Sequence, residues 1–395
     1  MLHIANIIKD QKFFDAQINY HDMTSQICHH DYFIVSWEKN IVFKYISKKD
    51  RIKIVNPDEL ISVLSATSYD AIFIHNFLYM PLHYMWKLPS NLKVFWFSWG
   101  YDIYNTPQSY PYVALPLLHM KSKELYQDIQ KCKKKIPAFT KFKRAIKRKF
   151  KTAFHYKKLN HNDESCVYRR AVERVDFYSG VFPEEYDLLK KNPEFHAKRV
   201  NYVYSDPNDW IASTDFNFTN GQNILVGNSA DINNNHIDVL DYLKKIDTTS
   251  RKIIVPLSYG GSDLYVNKVC DAYSQTLGQA CVLLKDFMSR DDYFKLLSSV
   301  GIAIFFQERQ QAVGNIEEML RNGVKIFFSE SSINYKHYKS NGFFVFSLQK
   351  DFNIENISTP LTKEQKIHNA MLLQKTVNKE ICLQYLYDIY DILKK

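Results

Sequence analysis

The stretch Ile224-Leu-Val-Gly-Asn-Ser-Ala-Asp-Ile-Asn-Asn-Asn-His-Ile237 opens as a short apolar run, breaks at Gly227, turns through polar residues and resumes as an amphipathic segment. A short run of this kind reads as a strand buried on both faces, and the pattern after Asn235 reads as a helix. The segment therefore predicts a strand-loop-helix junction. Gly227 permits close backbone approach to a ligand, Asn228 and Ser229 add side-chain donors, and a helix start aims N–H groups at an anion. That chemistry suits a diphosphate. The same Asn and Asp residues equally suit the caps of an ordinary βα turn.

Working outward, the junction is one of a series. Downstream strands are expected at residues 224–226, 252–257, 280–284, 302–306 and 325–329, with helices at 236–245, 263–277, 291–299 and 316–322. Upstream apolar runs predict strands at 2–8, 32–36, 41–45, 71–75, 94–98, 175–179 and 200–204. Strands alternating with helices through short connections specify parallel, doubly wound α/β sheets. A chain of 395 residues exceeds one ordinary core, so two domains are expected. The boundaries read as 1–205 for the first domain, 206–221 for a polar linker and 222–355 for the second. A helical segment, 356–395, is expected to pack back on the first.

Composition removes several classes. With 11 glycines and no G-x-G-x-x-G or G-x-x-x-x-G-K-[ST], the chain is neither a Rossmann dehydrogenase nor a P-loop ATPase. Cys28, Cys132, Cys166, Cys270, Cys281 and Cys382 stand apart, without metal-site spacing, and read as reduced thiols of a cytosolic protein. The amino terminus reads as a first strand and not a signal peptide, and no apolar run is long enough to span a bilayer. The formal charge of +10 is local. Residues 131–158 carry Lys and Arg without Asp or Glu, and Ile136, Phe139, Phe142, Ile146 and Phe150 recur at helical steps. Lys143, Arg144, Lys147 and Arg148 lie between them, a pattern suited to an anionic membrane surface. A solvated helix and a nucleic-acid contact are the alternatives, and interleaved Phe favours membrane over nucleic acid.

Further polar clusters fall at expected strand ends. Phe305-Phe-Gln-Glu-Arg-Gln-Gln-Ala-Val-Gly-Asn315 places Arg309, Gln310 and Gln311 before a helix that starts near Gly314 and Asn315. Arg309 suits phosphate oxygens, the glutamines suit phosphate or sugar hydroxyls, and Glu317 or Glu318 suits ribose hydroxyls; solvation of a loop is the alternative, favoured for Glu317. Tyr259 or Tyr265, beyond 252–257, suits stacking on a base or capping a phosphate, with Ser258 beside Tyr259 as a donor contact; either tyrosine equally suits an ordinary interface. In the first half, Trp99-Gly-Tyr-Asp-Ile-Tyr104 sets aromatic rings around Asp102, a pattern suited to stacking on sugars, with Trp99 and Tyr104 as acceptor contacts. Asp102, or His75 at the end of the preceding run, is the candidate base; a structural role is the common one for such a His.

These blocks resemble the bacterial TDP-4-acetamido-4,6-dideoxygalactose (Fuc4NAc) transferases, also called the 4-alpha-L-fucosyltransferase family or glycosyltransferase family 56. The resemblance is carried by Leu225 to Ser229 with Asn235 to Ile237, by Arg309, Gln310, Gln311 and Gly314, and by Trp99, Gly100, Asp102 and Tyr104. It implies a GT-B fold, two Rossmann-like domains facing across a cleft. It also implies transfer of a 6-deoxy(amino) sugar such as Fuc4NAc or fucose, from a nucleoside-diphosphate donor with TDP favoured, to a polyprenyl-diphosphate-linked saccharide. Members build enterobacterial common antigen; an O-antigen or capsule acceptor fits equally. No D-x-D pair stands at a strand end, so no metal or other cofactor is expected, and Arg309 with helix dipoles would meet the leaving diphosphate. The expected location is the cytoplasmic face of the inner membrane. The rival readings are a nucleic-acid binder using the basic segment, a soluble-acceptor transferase and a nucleotide-sugar epimerase.

Overall fold

The computed structural model describes residues 1–104, 117–133, 171–204, 206 and 218–395. The chain divides into two compact units: Met1–Ala114 with Phe142–Ala212 and Val377–Lys395, and Leu115–Lys141 with Ser213–Thr376.

In the first unit the strands are β1 (Leu2–Ile8), β2 (Cys28–Val35), β3 (Ile52–Val55), β4 (Ala71–His75), β5 (Lys93–Phe97), β6 (Phe177–Ser179) and β7 (Lys198–Arg199). Their order is β3-β2-β1-β4-β5-β6-β7, every pairing parallel. The central strands are continuous apolar runs because helices cover both faces: Ile4, Ile7, Ile72, Phe73, Phe95 and Trp96 are all buried. The chain's last helix, Lys379–Leu393, buries Leu386, Ile389 and Tyr390 in this core. At about 1.5–3 kcal/mol for each large apolar side chain buried, those contacts are what hold it there.

In the second unit the strands are β8 (Asn223–Val226), β9 (Ile253–Pro256), β10 (Cys281–Leu284), β11 (Val300–Phe305), β12 (Lys325–Phe328) and β13 (Phe346–Ser347). The order is β10-β9-β8-β11-β12-β13, again parallel throughout. Ile224, Val226, Val239, Val255, Tyr273 and Ile304 form its core. In both sheets strand order reverses beside the first strand, between β1 and β4 and between β8 and β11. Open α/β sheets bind ligands at the carboxyl ends of the strands flanking such a reversal.

Four expectations change. Residues 41–45 form no strand: the Asp10 carboxylate accepts the N–H groups of Lys44, Tyr45 and Ile46 and fixes them as a loop. Residues 200–204 form none either; Tyr202 stacks on Phe97 at 3.9 Å, and only Lys198–Arg199 pairs with β6. The helix Met120–Lys133 belongs to the second unit, although the sequence places it in the first. Leu125 and Ile129 pack into the second core, and the Asp238 carboxylate caps the helix by accepting from Lys121 N and Ser122 N, both at 2.9 Å. The helical tail is divided: Lys363–Thr376 stays with the second unit and the last helix joins the first. Lys143, Arg144, Lys147 and Arg148, with most of the basic segment and residues 207–217 of the expected linker, lie outside the described residues.

Candidate functional site

The second unit places two of the polar loops side by side. Val226 pairs with Ile304, so the loops that follow β8 and β11 emerge together at the reversal of strand order. Gly227 has φ +68 and donates its N–H to Ile304 O at 2.9 Å. A Cβ there would stand 2.7 Å from Asn234 Oδ1 and 2.9 Å from His236 Nε2, so any side chain at this position is strained and displaces its neighbours.

The asparagine run divides its labour. Asn234 is framework: Nδ2 donates to Ser229 O and Asp231 O, while Oδ1 accepts from Asn228 N and Gln307 Nε2. Asn235, left-handed at φ 53, donates from Nδ2 to Phe306 O and ties the loop to the end of β11. Asn228 is the meeting point. Its Oδ1 accepts from Gln311 Nε2 at 3.2 Å and Gln307 Nε2 at 3.4 Å, and its Nδ2 donates to the Tyr259 hydroxyl at 3.3 Å. Tyr259 is half exposed, and its carbonyl accepts from Ala230 N, so the β9 loop is fastened to the same turn. Ser258 beside it is half-buried.

Several buried polar atoms here have no protein partner: Gln307 Oε1, Gln310 Oε1, Gln311 Oε1 and His236 Nε2. Such atoms each cost about 1–3 kcal/mol when left unsatisfied, so a cluster at a strand end marks a place for a ligand. His236 Nδ1 is engaged with the Tyr265 hydroxyl at 2.9 Å, and burial holds the imidazole neutral with a pKa of about 3. Arg309 is nearly buried; its guanidinium donates to Asp231 Oδ2 at 3.0 Å and to Gln310 O. The helix Val313–Arg321 begins after a left-handed Ala312, with no side chain capping it. By contrast, Ser262 and Ser332 cap the helices they precede. Beside that uncapped start, nothing lies within 4 Å of a Cβ added at Gly314, and Asn315 is half-buried. Free N–H groups, the helix dipole and a guanidinium together favour an anion.

Glu318 is placed differently from expectation: one of its oxygens accepts from Asn322 Nδ2 at 2.8 Å, within its own helix. The carboxylate at the strand end is Glu308, which the sequence reading passed over. It accepts from His119 Nε2 at 2.7 Å and Ser329 Oγ at 2.5 Å. Burial pushes its pKa up, but those hydrogen bonds outweigh burial and hold it below the ordinary value. Nothing in the local sequence links residue 119 to residue 308. His236, Asn234 and Gln307, also passed over, stood inside the two quoted stretches.

In the first unit, the candidates after β4 and β5 are mostly structural. Asp102 has no exposed surface. Its Oδ2 accepts from Phe77 N at 3.0 Å and Trp96 Nε1 at 2.8 Å, and its Oδ1 from Trp99 N at 2.8 Å. Burial raises its pKa against the pull of these donors. The carboxylate fastens two loops and presents no open surface. Tyr104 is buried, its hydroxyl donating to Glu185 at 2.8 Å, which removes it as an acceptor contact; burial raises the Glu185 carboxyl to about 7. Trp99 is half-buried, and its indole N–H donates to the Tyr204 hydroxyl at 2.5 Å.

His75 is likewise not a base for a substrate. It lies in a directed chain of hydrogen bonds. Asn6 Nδ2 donates to His30 Nδ1, so His30 donates from Nε2 to the Tyr390 hydroxyl, which donates to Thr24 Oγ1. On the other side His75 donates from Nε2 to Asn6 Oδ1 and accepts the Tyr204 hydroxyl on Nδ1. Both ring nitrogens are used, and burial holds the pKa well below its ordinary value. This pattern requires neutral imidazoles.

The model of a family described as 4-alpha-L-fucosyltransferase glycosyl transferase group 56 matches residues 167–370, just over half of the chain. The match takes in the last two strands of the first sheet and all six of the second. Among solved structures, a glycosyltransferase from Rickettsia africae superposes with a TM-score of 0.61 at 10% identity, covering 100% of this chain and 99% of that one. The Anabaena protein HepE, in complex with UDP and glucose, gives 0.59 at 10% identity with 99% of each chain covered. A sucrose-phosphate synthase from Thermosynechococcus elongatus gives 0.58 at 11% identity, covering 100% of this chain and 99% of that one. At this identity the likeness carries the fold, which is GT-B: two parallel-sheet α/β units.

Proposed function

Because the chain belongs to the 4-alpha-L-fucosyltransferase family, glycosyl transferase group 56, and is a glycosyltransferase, we propose that it moves a 6-deoxy(amino) sugar, Fuc4NAc or fucose, from a nucleoside diphosphate to a polyprenyl-diphosphate-linked saccharide. TDP is the favoured nucleotide, and cell-surface polysaccharide is the product's destination. The observation that carries this reading is the pairing of the Gly227–Ser229 turn with the Gln307–Gln311 loop. The buried amide oxygens of Gln307, Gln310 and Gln311 and the His236 Nε2 lack protein partners at the reversal of strand order.

In this reading the diphosphate lies against Gly227–Ser229 and the start of the helix Val313–Arg321, beside Gly314 and Asn315. Arg309 meets the phosphate charge as the glycosidic bond to the leaving group breaks. Stabilisation by fixed donors and dipoles needs no reorganisation at the moment of reaction. Asp231 and Glu308, the nearby carboxylates, are engaged by Arg309 and His119, which favours a metal-independent reaction. Ser258, Tyr259, Gln310 and Gln311 remain for the nucleoside and sugar. Trp99, half-buried, is the expected acceptor contact that remains in the first unit.

A lipid-linked acceptor sets the reaction at a membrane surface, on the cytoplasmic face where nucleotide sugars are made. No helix among the described residues is long and apolar enough to cross a membrane. The test is transfer itself. The protein is incubated with TDP-, UDP- and GDP-linked 6-deoxy sugars and a polyprenyl-diphosphate-linked saccharide, and the acceptor's mass gain is read. Transfer from a TDP-sugar to the lipid-linked acceptor supports the reading. Transfer only to soluble sugars, or from none of the donors, overturns it.

A further inference from the structure

The loop between β2 and β3 puts large apolar side chains into solvent where a soluble surface would hide them. Trp37 is 67% exposed, Val42 93% and Tyr45 43%. They alternate with Lys39, Lys44 and Lys49, all exposed, and Glu38 is the one acid between Ser36 and Lys49. The Lys44 ammonium lies over the Tyr45 ring at 5.1 Å and that of Lys49 over Phe43 at 6.0 Å.

This presentation is built. The Asp10 carboxylate accepts the N–H groups of Lys44, Tyr45 and Ile46; that of Asp15 accepts Ser47 N, Ser47 Oγ and Lys48 N. Ile46 is buried as the loop's plug, and Lys48 and Arg51 pair with Asp22. Held at its base, the loop keeps its apolar tips outward, so binding through them carries little ordering cost. The strands are parallel, so the loops after β4 and β5 leave the same end of the sheet. They too expose apolar residues, Leu78 and Tyr101.

We propose that this loop docks the protein on an anionic lipid bilayer, with Trp37, Val42 and Tyr45 entering the headgroup boundary and Lys39, Lys44 and Lys49 reaching lipid phosphates. Aromatic rings favour that boundary, and lysine stems lie along apolar surface while their ammonium groups stay in the polar layer. The chemistry selects lipid over other partners. Protein interfaces are depleted in lysine at their centres, and base or phosphate recognition favours arginine forks, which residues 36–49 lack. The proposal rests on the preceding reading only in that a lipid-linked acceptor needs a membrane surface.

Vesicle binding needs neither donor, acceptor nor turnover, so its failure is separable from a failure of the transferase reading. The full chain is floated with phosphatidylcholine vesicles and with vesicles that also contain phosphatidylglycerol. Strong binding to the anionic vesicles alone is expected. Each lysine near such a surface is worth about five-fold, so Lys39→Glu/Lys44→Glu/Lys49→Glu should lower partitioning at least about 100-fold. Trp37→Ser/Val42→Ser should lower it about ten-fold or more. These side chains point to solvent, and unchanged melting confirms folding. As a second readout, Asn40→Cys carrying an environment-sensitive dye should shift to the blue on anionic vesicles only. Wild-type protein that stays unbound, equal binding to both vesicles, variants that float like wild type, or an unshifted dye each overturns the proposal.

Discussion

Gln311 donates from Nε2 to the Oδ1 of Asn228 at 3.2 Å, joining the carboxyl ends of the two strands between which the second sheet reverses its order. Gln307 donates to the same oxygen, and the Oε1 atoms of both glutamines are left without a partner. No protein group satisfies these buried acceptors, and a ligand's donors would supply the missing bonds, at about 1–3 kcal/mol each. Gln311→Met should therefore leave the unliganded protein as stable as wild type or slightly more so, while weakening nucleotide binding about ten-fold. Melting with and without nucleotide reads both. A variant that loses stability and keeps affinity makes Gln311 framework.

Gly227→Ala tests the turn. A Cβ would collide with Asn234 and His236, and φ +68 disfavours any side chain. The expected cost is about 1–3 kcal/mol, together with loss of nucleotide binding because the turn must open. Chemical unfolding and calorimetric titration check it, and wild-type values for both remove the turn from the site.

Asp102→Asn separates a structural carboxylate from a catalytic one. The variant keeps one acceptor oxygen for three N–H donors, so a loss of about 2–4 kcal/mol in the first unit is expected. Activity should fall only as far as folded protein is lost. Trp37, Trp86, Trp96 and Trp99 lie in the first unit, so tryptophan fluorescence during urea unfolding reports it. Wild-type stability with abolished turnover would return Asp102 to catalysis.

The pH dependence follows from buried imidazoles. Burial lowers the pKa of His21 and His236 to about 3 and puts His30 and His75 well below the ordinary value. Because the folded pKa is depressed, the unfolded chain binds more protons once the pH falls below about 6.5. Stability is full above that value and lost on acidification, by about 1.4 kcal/mol per pH unit for each histidine. Urea midpoints at pH 7.5 and 5.5 should differ accordingly, and His75→Gln should flatten the pH dependence of the fluorescence-detected midpoint. A midpoint independent of pH in this range contradicts the neutral chain.

What the sequence revealed and what it hid divide along physical lines. Strands such as β4, β5 and β8 are apolar runs with a polar residue only at one end, and the turn at Gly227 announces itself by composition. Ile41 to Tyr45 shows the limit: its apolar pattern suits a strand, but Asp10 and Asp15, some thirty residues away, hold it as a loop. Asp102 shows another, since a carboxylate among aromatics reads alike whether it meets a sugar or three buried N–H groups. In the run Asn233 to Asn235, no local signal separates the residues that brace the loop from Asn228, which stands at the glutamine pair. His119 and Glu308 meet only through the fold.

The most direct test of the account is calorimetric titration of the protein with TDP, UDP and GDP, with and without Mg²⁺, beside Arg309→Ala. The account predicts binding of one nucleotide, TDP, unchanged by metal. It also predicts an affinity about ten- to one-hundred-fold weaker in Arg309→Ala, as for a lost hydrogen bond to charge. Binding of none of the three, or equal affinity in the variant, would contradict a diphosphate site at the junction of β8 and β11.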